Sequence, residues 1–348
     1  MINLMTHPGS NPLDNAWPPH DLETISACPY CGGGNQALAY QNVQDWSFGS
    51  AAGRWNYWRC GDCLALFLNP RPDTRSIGRA YGRYYTHGAA PRPTLLAAIK
   101  QRLRNECWSQ LFATPVLPRL GMPRWASPIF RLFTPWVAEP FGLRQLAELP
   151  KGVLIDVGCG NGDTVKLAAQ LGWQARGIEL DAAAVKAAQA RGLDVMEGSY
   201  EVLSLHEGQA DCLICSHVIE HVHQPLRLLR LLLAALKPQG VLLLSAPNAA
   251  SHLSDRYGEN WRGLEAPRHL AIPDATWLIG WLRAEGFRCR QSLSHDVVTV
   301  IESERIARRA LVTTPFDVRA GKKMARAIAK PAMDKQDIVQ IVCTRERP

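Results

Sequence analysis

Four cysteines arranged as two Cys-x-x-Cys pairs are the first residues able to do chemistry: Cys28 and Cys31 enclose Pro-Tyr, and Cys60 and Cys63 enclose Gly-Asp. Each pair sets two thiolates on one tight turn, and two such turns about thirty residues apart supply the four ligands of a tetrahedral Zn(II) site. A closed four-thiolate site leaves no coordination position open, so its expected role is folding rather than catalysis. A second group is the alternation Gly158, Gly160, Gly162 with Asp156, Cys159 and Asn161 around it. Glycines so placed let a backbone turn sharply and approach a ligand closely beside a helix N-terminus. The spacing is GxGxG and not the GxGxxG of dinucleotide binders, and Glu179 follows where a carboxylate would hold a ribose diol. A third group is His217, Glu220 and His221, with Arg268-His269 further on. Read as HxxEH, the third group matches inverted zinc peptidases, but that motif needs a continuous helix and here an apolar strand runs straight into it.

These groups need elements to carry them. Residues 153–157 form a short apolar run ending in glycine, the pattern of a buried strand, and residues 164–171 read as the helix after it, stopped by Gly172. Residues 175–179 predict a second strand and 182–190 a second helix ending at Gly192. Further strands are expected over 193–196, 211–215 and 241–245. Pro225 suits the first turn of a helix whose Leu226, Leu229, Leu233 and Leu236 recur at helical spacing. Asp274 can cap a helix burying Leu278, Trp281 and Leu282, followed by strands over 288–292 and 337–344. Strands alternating with helices imply an α/β fold, a doubly wound, mostly parallel sheet. Trp46, Phe48, Trp55, Tyr57 and Trp58, between the cysteine pairs, suggest small β-hairpins around the metal.

The chain of 348 residues is long enough for about two folded units, and with 47% hydrophobic and 20% charged residues it is too apolar for general disorder. Four segments are expected: a flexible tail at 1–22, a zinc ribbon at 23–86, an aromatic and basic linker or cap at 87–148, and the α/β domain at 149–348. Within the last, 295–336 reads as a basic helical insertion before the final strand. No stretch reaches the roughly 20 apolar residues of a membrane span, and the N-terminus lacks a secretory pattern, so a cytoplasmic location is expected. Ten cysteines diluted over this length favour metal over a disulfide scaffold. A net charge of +8, from 39 basic and 31 acidic residues, favours anionic partners without choosing among nucleic acid, nucleotide-linked substrates and lipid surfaces.

Four motifs in order resemble the class I S-adenosylmethionine-dependent methyltransferases: VLIDVGCGNG from Val153, GIELD from Gly177, ICSHVIEHV from Ile214 and LKPQGVLLLSAPN from Leu236. The resemblance spans roughly 149–295 and implies a Rossmann-like sheet with an antiparallel last strand. It also implies that Asp156, Gly158, Cys159, Gly160, Asn161 and Gly162 approach the methionine part of the cofactor and that Glu179 binds the ribose, with Leu180 and Ser216 in the same set. Such enzymes often carry a carboxylate near the adenine after the third strand; here Ser199 stands there. Leu68 to Pro72, then Tyr81, Tyr84, Tyr85 and His87, look like bacterial methyltransferases with an N-terminal zinc ribbon, often linked to surface-glycan or antibiotic-sugar biosynthesis. The segment around His217, Glu220 and His221 is similar to ubiquinone-pathway O-methyltransferases, where two glutamates and a histidine bind a divalent metal. His217, Glu220 and His221 lie just beyond the fourth strand, at the carboxyl edge where such sheets bind ligands. His221 is therefore expected to activate the acceptor, either as general base or as ligand of a second metal shared with Glu220 and His217; the alternative is that the three cap the loop and orient substrate without metal. His217 in place of a glutamate disfavours magnesium and leaves manganese or zinc. His269 is a secondary base, in a region that lines the acceptor pocket of similar enzymes.

Between residues 92 and 144 eight Lys or Arg and two acidic residues are interleaved with aromatics such as Trp108, Trp125 and Trp136. This segment reads as a cap over the active site, as an amphipathic platform on an anionic membrane, or as a surface that stacks on single-stranded RNA. The leading functional reading is methyl transfer, most often to oxygen, on a small glycan-derived or lipid-linked acceptor, with peripheral contact to the inner membrane surface. An RNA methyltransferase is the alternative, against which Ser216-His217 lacks the Asn/Asp-Pro-Pro-aromatic signature. A catalytically silent zinc-ribbon adaptor retaining the fold is a third reading.

Overall fold

Glycines at 172 and 192, with φ of +94° and +75°, stop two helices and return the chain to the sheet, the punctuation that a strand-helix alternation requires. The structure, a computed structural model, describes residues 15–82, 94–112, 115–123, 142–292, 297–309 and 332–345, with residues 13, 125, 128, 129, 323, 324 and 328. Most of the N-terminal tail, much of the aromatic and basic segment and part of the basic stretch before the last strand lie outside them. The N-terminal part builds β1 (Leu22–Glu23), β2 (Gln36–Val43), β3 (Trp55–Cys60), β4 (Leu66–Leu68) and β5 (Arg71–Pro72). Helices α1 (Leu95–Phe112) and α2 (Leu143–Glu148) follow. The α/β part then runs β6 (Val153–Val157), α3 (Asp163–Gln170), β7 (Gln174–Glu179), α4 (Ala182–Gln189), β8 (Val195–Glu197) and β9 (Ala210–Ser216). It continues through α5 (Pro225–Ala235), β10 (Leu236–Pro247), α6 (His252–Tyr257), β11 (Ala271–Ile272), α7 (Ala275–Ala284), β12 (Phe287–Ser292), α8 (Val297–Ala307) and β13 (Ile338–Arg345).

Seven strands form one sheet in the order β12-β13-β10-β9-β6-β7-β8. β6 pairs in parallel with β7 and β9, and β7 with β8, whereas β13 runs antiparallel to β12, as expected of a Rossmann-like sheet with a reversed last strand. Residues 193–196 were expected to form the third strand; it is three residues long and starts at Val195. Leu236 does not extend the helix from Pro225. It is the first residue of β10, because Pro238 favours extended backbone at Lys237 and cannot continue a helical hydrogen-bond ladder. Asp274 caps α7 by accepting from Trp277 N. Cys289 and Cys343, opposite each other on β12 and β13, form a disulfide, an unforeseen cross-link among the ten cysteines.

By packing, the chain groups into two units. The first comprises Met1–Tyr85, Ser216–Arg230 and Leu244–Glu346; the second comprises Thr86–Cys215, Leu231–Leu243 and the last two residues. In the first unit β2, β3 and β4 form the antiparallel hairpins expected of the cysteine-rich segment, and β11, from two hundred residues further on, closes the sheet against β4 in the order β11-β4-β3-β2. Its core joins Trp55, Tyr57, Leu66 and Leu68 to Trp261, Leu264, Leu270 and Ile272. Each large apolar side chain so buried contributes on the order of 1.5–3 kcal/mol.

One polar cluster sits within that unit. Arg268, fully buried, donates to both carboxylate oxygens of Asp45 at 3.0 and 2.5 Å, to Glu265 at 3.1 Å and to the Ala80 carbonyl at 2.9 Å, with the Phe48 ring 4.5 Å from its guanidinium carbon. Asp45 also accepts from the backbone N–H groups of Phe48, Ser50 and Ala51. Removing one partner of a buried pair strands the other charge, at a cost of about 3–5 kcal/mol, whereas an apolar replacement of both is often neutral. Asp45→Ala is therefore expected to lower the unfolding free energy by about that amount in urea denaturation. A loss below about 1 kcal/mol for Asp45→Ala would show that the pair does not hold the unit together.

Candidate functional site

Two equivalent turns bring the four cysteines together in the first unit. Gly32 N donates to Cys28 O at 2.9 Å and Leu64 N to Cys60 O at 3.1 Å, and Gly32 and Leu64 both have positive φ, +74° and +61°. Glycine meets that conformation without strain at position 32; the second turn holds a leucine there instead. Gly33 N and Asp62 N each donate to a cysteine sulfur at 3.4 Å, on Cys31 and Cys60. Cys28 and Cys63 Sγ are 3.5 Å apart, as are Cys31 and Cys60, and all four sulfurs lie within 4.8 Å of one another. A tetrahedron of about 2.3 Å Zn–S bonds has edges near 3.8 Å, so the cluster fits zinc with little adjustment. The hydrogen bond from Cys63 outweighs burial and pulls the Cys28 thiol down to about 6.

The histidines meet at another place in the same unit. β9 ends at Ser216, His217 takes φ +56°, and a single 3-10 turn, Ile219–His221, follows. The Leu270 N–H donates to Glu220 O at 2.7 Å, tying that turn to the loop that carries Arg268 and His269. One donor atom each from Glu220, His221 and His269 lies within 4.8 Å of the others, and the two imidazole rings meet edge to face with centroids 4.7 Å apart. His221 Nδ1 lies 3.2 Å from the Arg268 carbonyl and 3.0 Å from Tyr81 Oη. His269 Nδ1 lies 2.6 Å from the Gly263 carbonyl. A carbonyl only accepts, so these contacts assign the Nδ1 proton in both rings and leave each neutral imidazole a lone pair on Nε2.

The electrostatics keep this cluster unusual. Burial draws His269 down to about 4, against the pull of Glu265, so it is neutral at pH 7. Glu220 is fully buried; burial raises its pKa, but the His217 hydrogen bond and the neighbouring imidazoles outweigh it and hold the carboxyl below the usual glutamate value. Its Oε1 lies 3.2 Å from His217 Nδ1, while Oε2 has no hydrogen-bond partner among the described residues. His217, itself exposed, stands outside the three-residue donor group: His269 completes the set in its place. Tyr57 Oη donates to the carbonyls of Leu264 at 2.5 Å and His269 at 2.7 Å, and Glu265 pairs with Arg262 and Arg268. Asp45 and Glu265 escaped sequence reasoning, and Tyr57 and Arg268, both singled out there, were not expected to build the backbone around His269. Their one local signal was a Glu and an Arg inside the otherwise apolar run before His269.

The glycine turn belongs to the second unit. Gly158, Gly160 and Gly162 all have positive φ, between +54° and +78°. Glu179 at the end of β7 lies across the turn: Oε2 accepts from Gly160 N at 2.8 Å and Oε1 from Asp181 N at 3.0 Å, leaving lone pairs on both oxygens for ligand hydroxyls. A Cβ on Gly160 would meet no protein atom within 4 Å, so the space beside this backbone is open to a ligand. Asp156 is buried at the end of β6, and burial together with the nearby Glu179 charge pushes its carboxyl up to about 7. Cys159 fits because Gly177 has no side chain: a Cβ there would sit 2.4 Å from the Cys159 sulfur. Asn161 Oδ1 accepts from Asp163 N at 3.1 Å, Leu180 is exposed, and Ser199 caps the turn after β8 by accepting from Glu201 N. Ser216, in the first unit, pairs with Ser245 at 2.7 Å.

Metal analysis checks the cysteine cluster. Full-length protein prepared without chelator should carry zinc, and Cys60→Ser with Cys63→Ser should lose one equivalent per chain. Zinc near zero in the unsubstituted protein, or unchanged content in the double variant, would remove the assignment.

Residues 132–292 match the family model described as a methyltransferase domain. A ubiquinone biosynthesis O-methyltransferase of Xanthomonas campestris pv. campestris (strain B100) is 36% identical over 107 residues, which are 29% of this chain and 45% of that relative. Its counterpart in Xanthomonas oryzae pv. oryzae (strain PXO99A) is 35% identical over 108 residues, again 45% of its length, so the chain spans less than half of these relatives. The structure of a SAM-dependent methyltransferase from Archaeoglobus fulgidus superposes with a TM-score of 0.41 at 17% identity, covering 56% of this chain and 86% of that one. With the strand order and the glycine turn already described, the match identifies residues 132–292 as a methyltransferase domain.

Proposed function

We propose that the protein transfers a methyl group from S-adenosylmethionine to a hydroxyl of a small acceptor, glycan-derived or lipid-linked. The observation that carries the choice of oxygen is the convergence of Glu220, His221 and His269, with both Nδ1 protons committed to carbonyls. The O-methyltransferases that resemble part of this chain support the same reading. When bound, S-adenosylmethionine supplies an electrophilic methyl group with a good leaving group. The chain's own residues then have three tasks. The glycine turn and Glu179 accommodate and hold the cofactor, Asp156 provides a carboxylate for its positive charge, and His221 accepts the acceptor's hydroxyl proton on Nε2.

A divalent cation is the second reading, favoured by the unpartnered Oε2 of buried Glu220. Glu220, His221 and His269 would be its ligands, and the Arg268 and Gly263 carbonyls would orient the two imidazoles as outer partners commonly do. Two nitrogens and one carboxylate suit zinc or manganese better than magnesium, and such a cation would acidify the acceptor hydroxyl.

The experiment requires an acceptor, found as a metabolite that gains one methyl group when a cell extract is supplied with the protein and S-adenosylmethionine. On that acceptor His221→Ala is expected to lose on the order of 100- to 10,000-fold in turnover while keeping its cofactor affinity. Chelator should reproduce the loss only if the cation takes part. Near-normal turnover of His221→Ala would refute its assigned role.

The cofactor half is tested by calorimetry. The folded-state pKa of Asp156 is raised to about 7, so the carboxylate is available above that pH and is protonated below it. Affinity for S-adenosylmethionine should therefore fall as pH drops below about 7, by up to tenfold per unit. Asp156→Asn should bind weakly at every pH, without that slope. A pH-independent affinity in the unsubstituted protein would contradict the role given to Asp156.

A further inference from the structure

Helix α1 divides into two halves of opposite character. Asn105 to Gln110 are buried, whereas every residue from Leu95 to Arg104 is exposed except Ala98, which is half-buried. The exposed half, about 15 Å long at 1.5 Å per residue, carries Leu95, Leu96, Ile99 and Leu103 at 80%, 62%, 44% and 43% exposure. At about 100° per residue these four side chains share one arc of roughly 100°. Lys100 and Arg104 border the arc on one side and Arg102 on the other. The helix has one acidic residue, Glu106, and it is buried, its oxygens taken by Gln110 Nε2 at 2.8 Å and Gly121 N at 2.9 Å. The exposed half is thus a purely cationic amphipathic surface. Nine of the sixteen large apolar side chains that stand exposed among the described residues fall between Leu95 and Ile129, Trp125 among them.

Folding alone does not account for four aliphatic side chains left in water on one side of a helix whose other half is packed. Scattered exposed leucines need no partner, but a continuous apolar arc flanked by basic residues does. We propose that the Leu95–Arg104 half of α1 docks in the interface of an anionic lipid bilayer, with Leu95, Leu96, Ile99 and Leu103 entering the acyl boundary and Lys100, Arg102 and Arg104 meeting the headgroup phosphates. The charge complementarity commits the surface to an anionic bilayer: a neutral protein groove would accept the apolar arc and leave Lys100 and Arg102 without counterparts, Arg104 alone having the Trp108 ring beside it. At about 15 Å the exposed half of α1 is half the thickness of a bilayer's hydrocarbon core, so the proposed contact is one of lying on the surface.

Sedimentation of the full chain with vesicles tests the proposal. The expected result is binding to vesicles of equal parts phosphatidylcholine and phosphatidylglycerol about a hundredfold tighter than to phosphatidylcholine alone, weakening as salt rises. Ile99→Glu with Leu103→Glu should reduce binding at least about tenfold, and Lys100→Glu with Arg102→Glu should abolish the preference for the anionic vesicles. All four positions are exposed, so thermal melting of these variants should match the unsubstituted protein. Absence of vesicle binding overturns the proposal, as does binding that both variants leave unchanged. A dimer dispersed by Ile99→Glu with Leu103→Glu, seen without vesicle binding, also overturns it and gives the surface to a second copy of the chain.

Discussion

A guanidinium with no access to water organises the first unit. Arg268 cannot lose its charge, and an unpaired charge at that depth would cost several kcal/mol, a large share of an ordinary domain's stability. Asp45 and Glu265 therefore have to be where they are, and with them the two stretches of chain that carry them. Asp45 lies in the cysteine-rich segment, 223 residues from Arg268 in sequence, and Glu265 opens the loop that ends in His269. Tyr57 adds a second tie from the same segment by giving its one hydroxyl proton to the carbonyls of Leu264 and His269. The third is β11, which continues this loop as the edge of the cysteine-rich sheet.

The four-cysteine cluster is linked to the histidines through these ties. The hairpins that carry its sulfurs also supply Asp45 and Tyr57, which fix the backbone on either side of His269. That backbone in turn presents the Arg268 carbonyl to His221 and the Gly263 carbonyl to His269. A buried ion pair and two backbone carbonyls thus orient the two imidazoles. The glycine turn follows a different logic, contained in the other unit. There, three positive-φ glycines and the Glu179 carboxylate lie within about twenty residues of one another, and Arg191 adds bonds to Asn161 and Asp163.

That difference explains what could be read from the sequence. The β6-to-α4 stretch was legible almost to the residue because each step is local: the apolar run of β6, the glycines after it, and helices stopped by Gly172 and Gly192. The clustering of the cysteine pairs was legible because each pair is a fixed short spacing within one turn. By contrast, β11 is two residues long and has no periodicity to detect. The pairing of Asp45 with Arg268 and that of Cys289 with Cys343 are each one choice among many at long range. Leu236 fitted the helical spacing, yet Pro238 decided its backbone. His217 was grouped with Glu220 and His221 by adjacency, whereas in three dimensions His269 occupies the third position and His217 holds the carboxylate from outside.

An Arg268 clamp that serves the histidine cluster should leave cofactor binding untouched. The most direct measurement is the split between turnover and S-adenosylmethionine affinity in Arg268→Lys, which keeps the charge and loses the paired donors to Asp45. The account predicts turnover at least about a hundredfold lower, with cofactor affinity within about twofold of the unsubstituted protein. Unchanged turnover, or cofactor affinity lost in parallel with it, would contradict the claim.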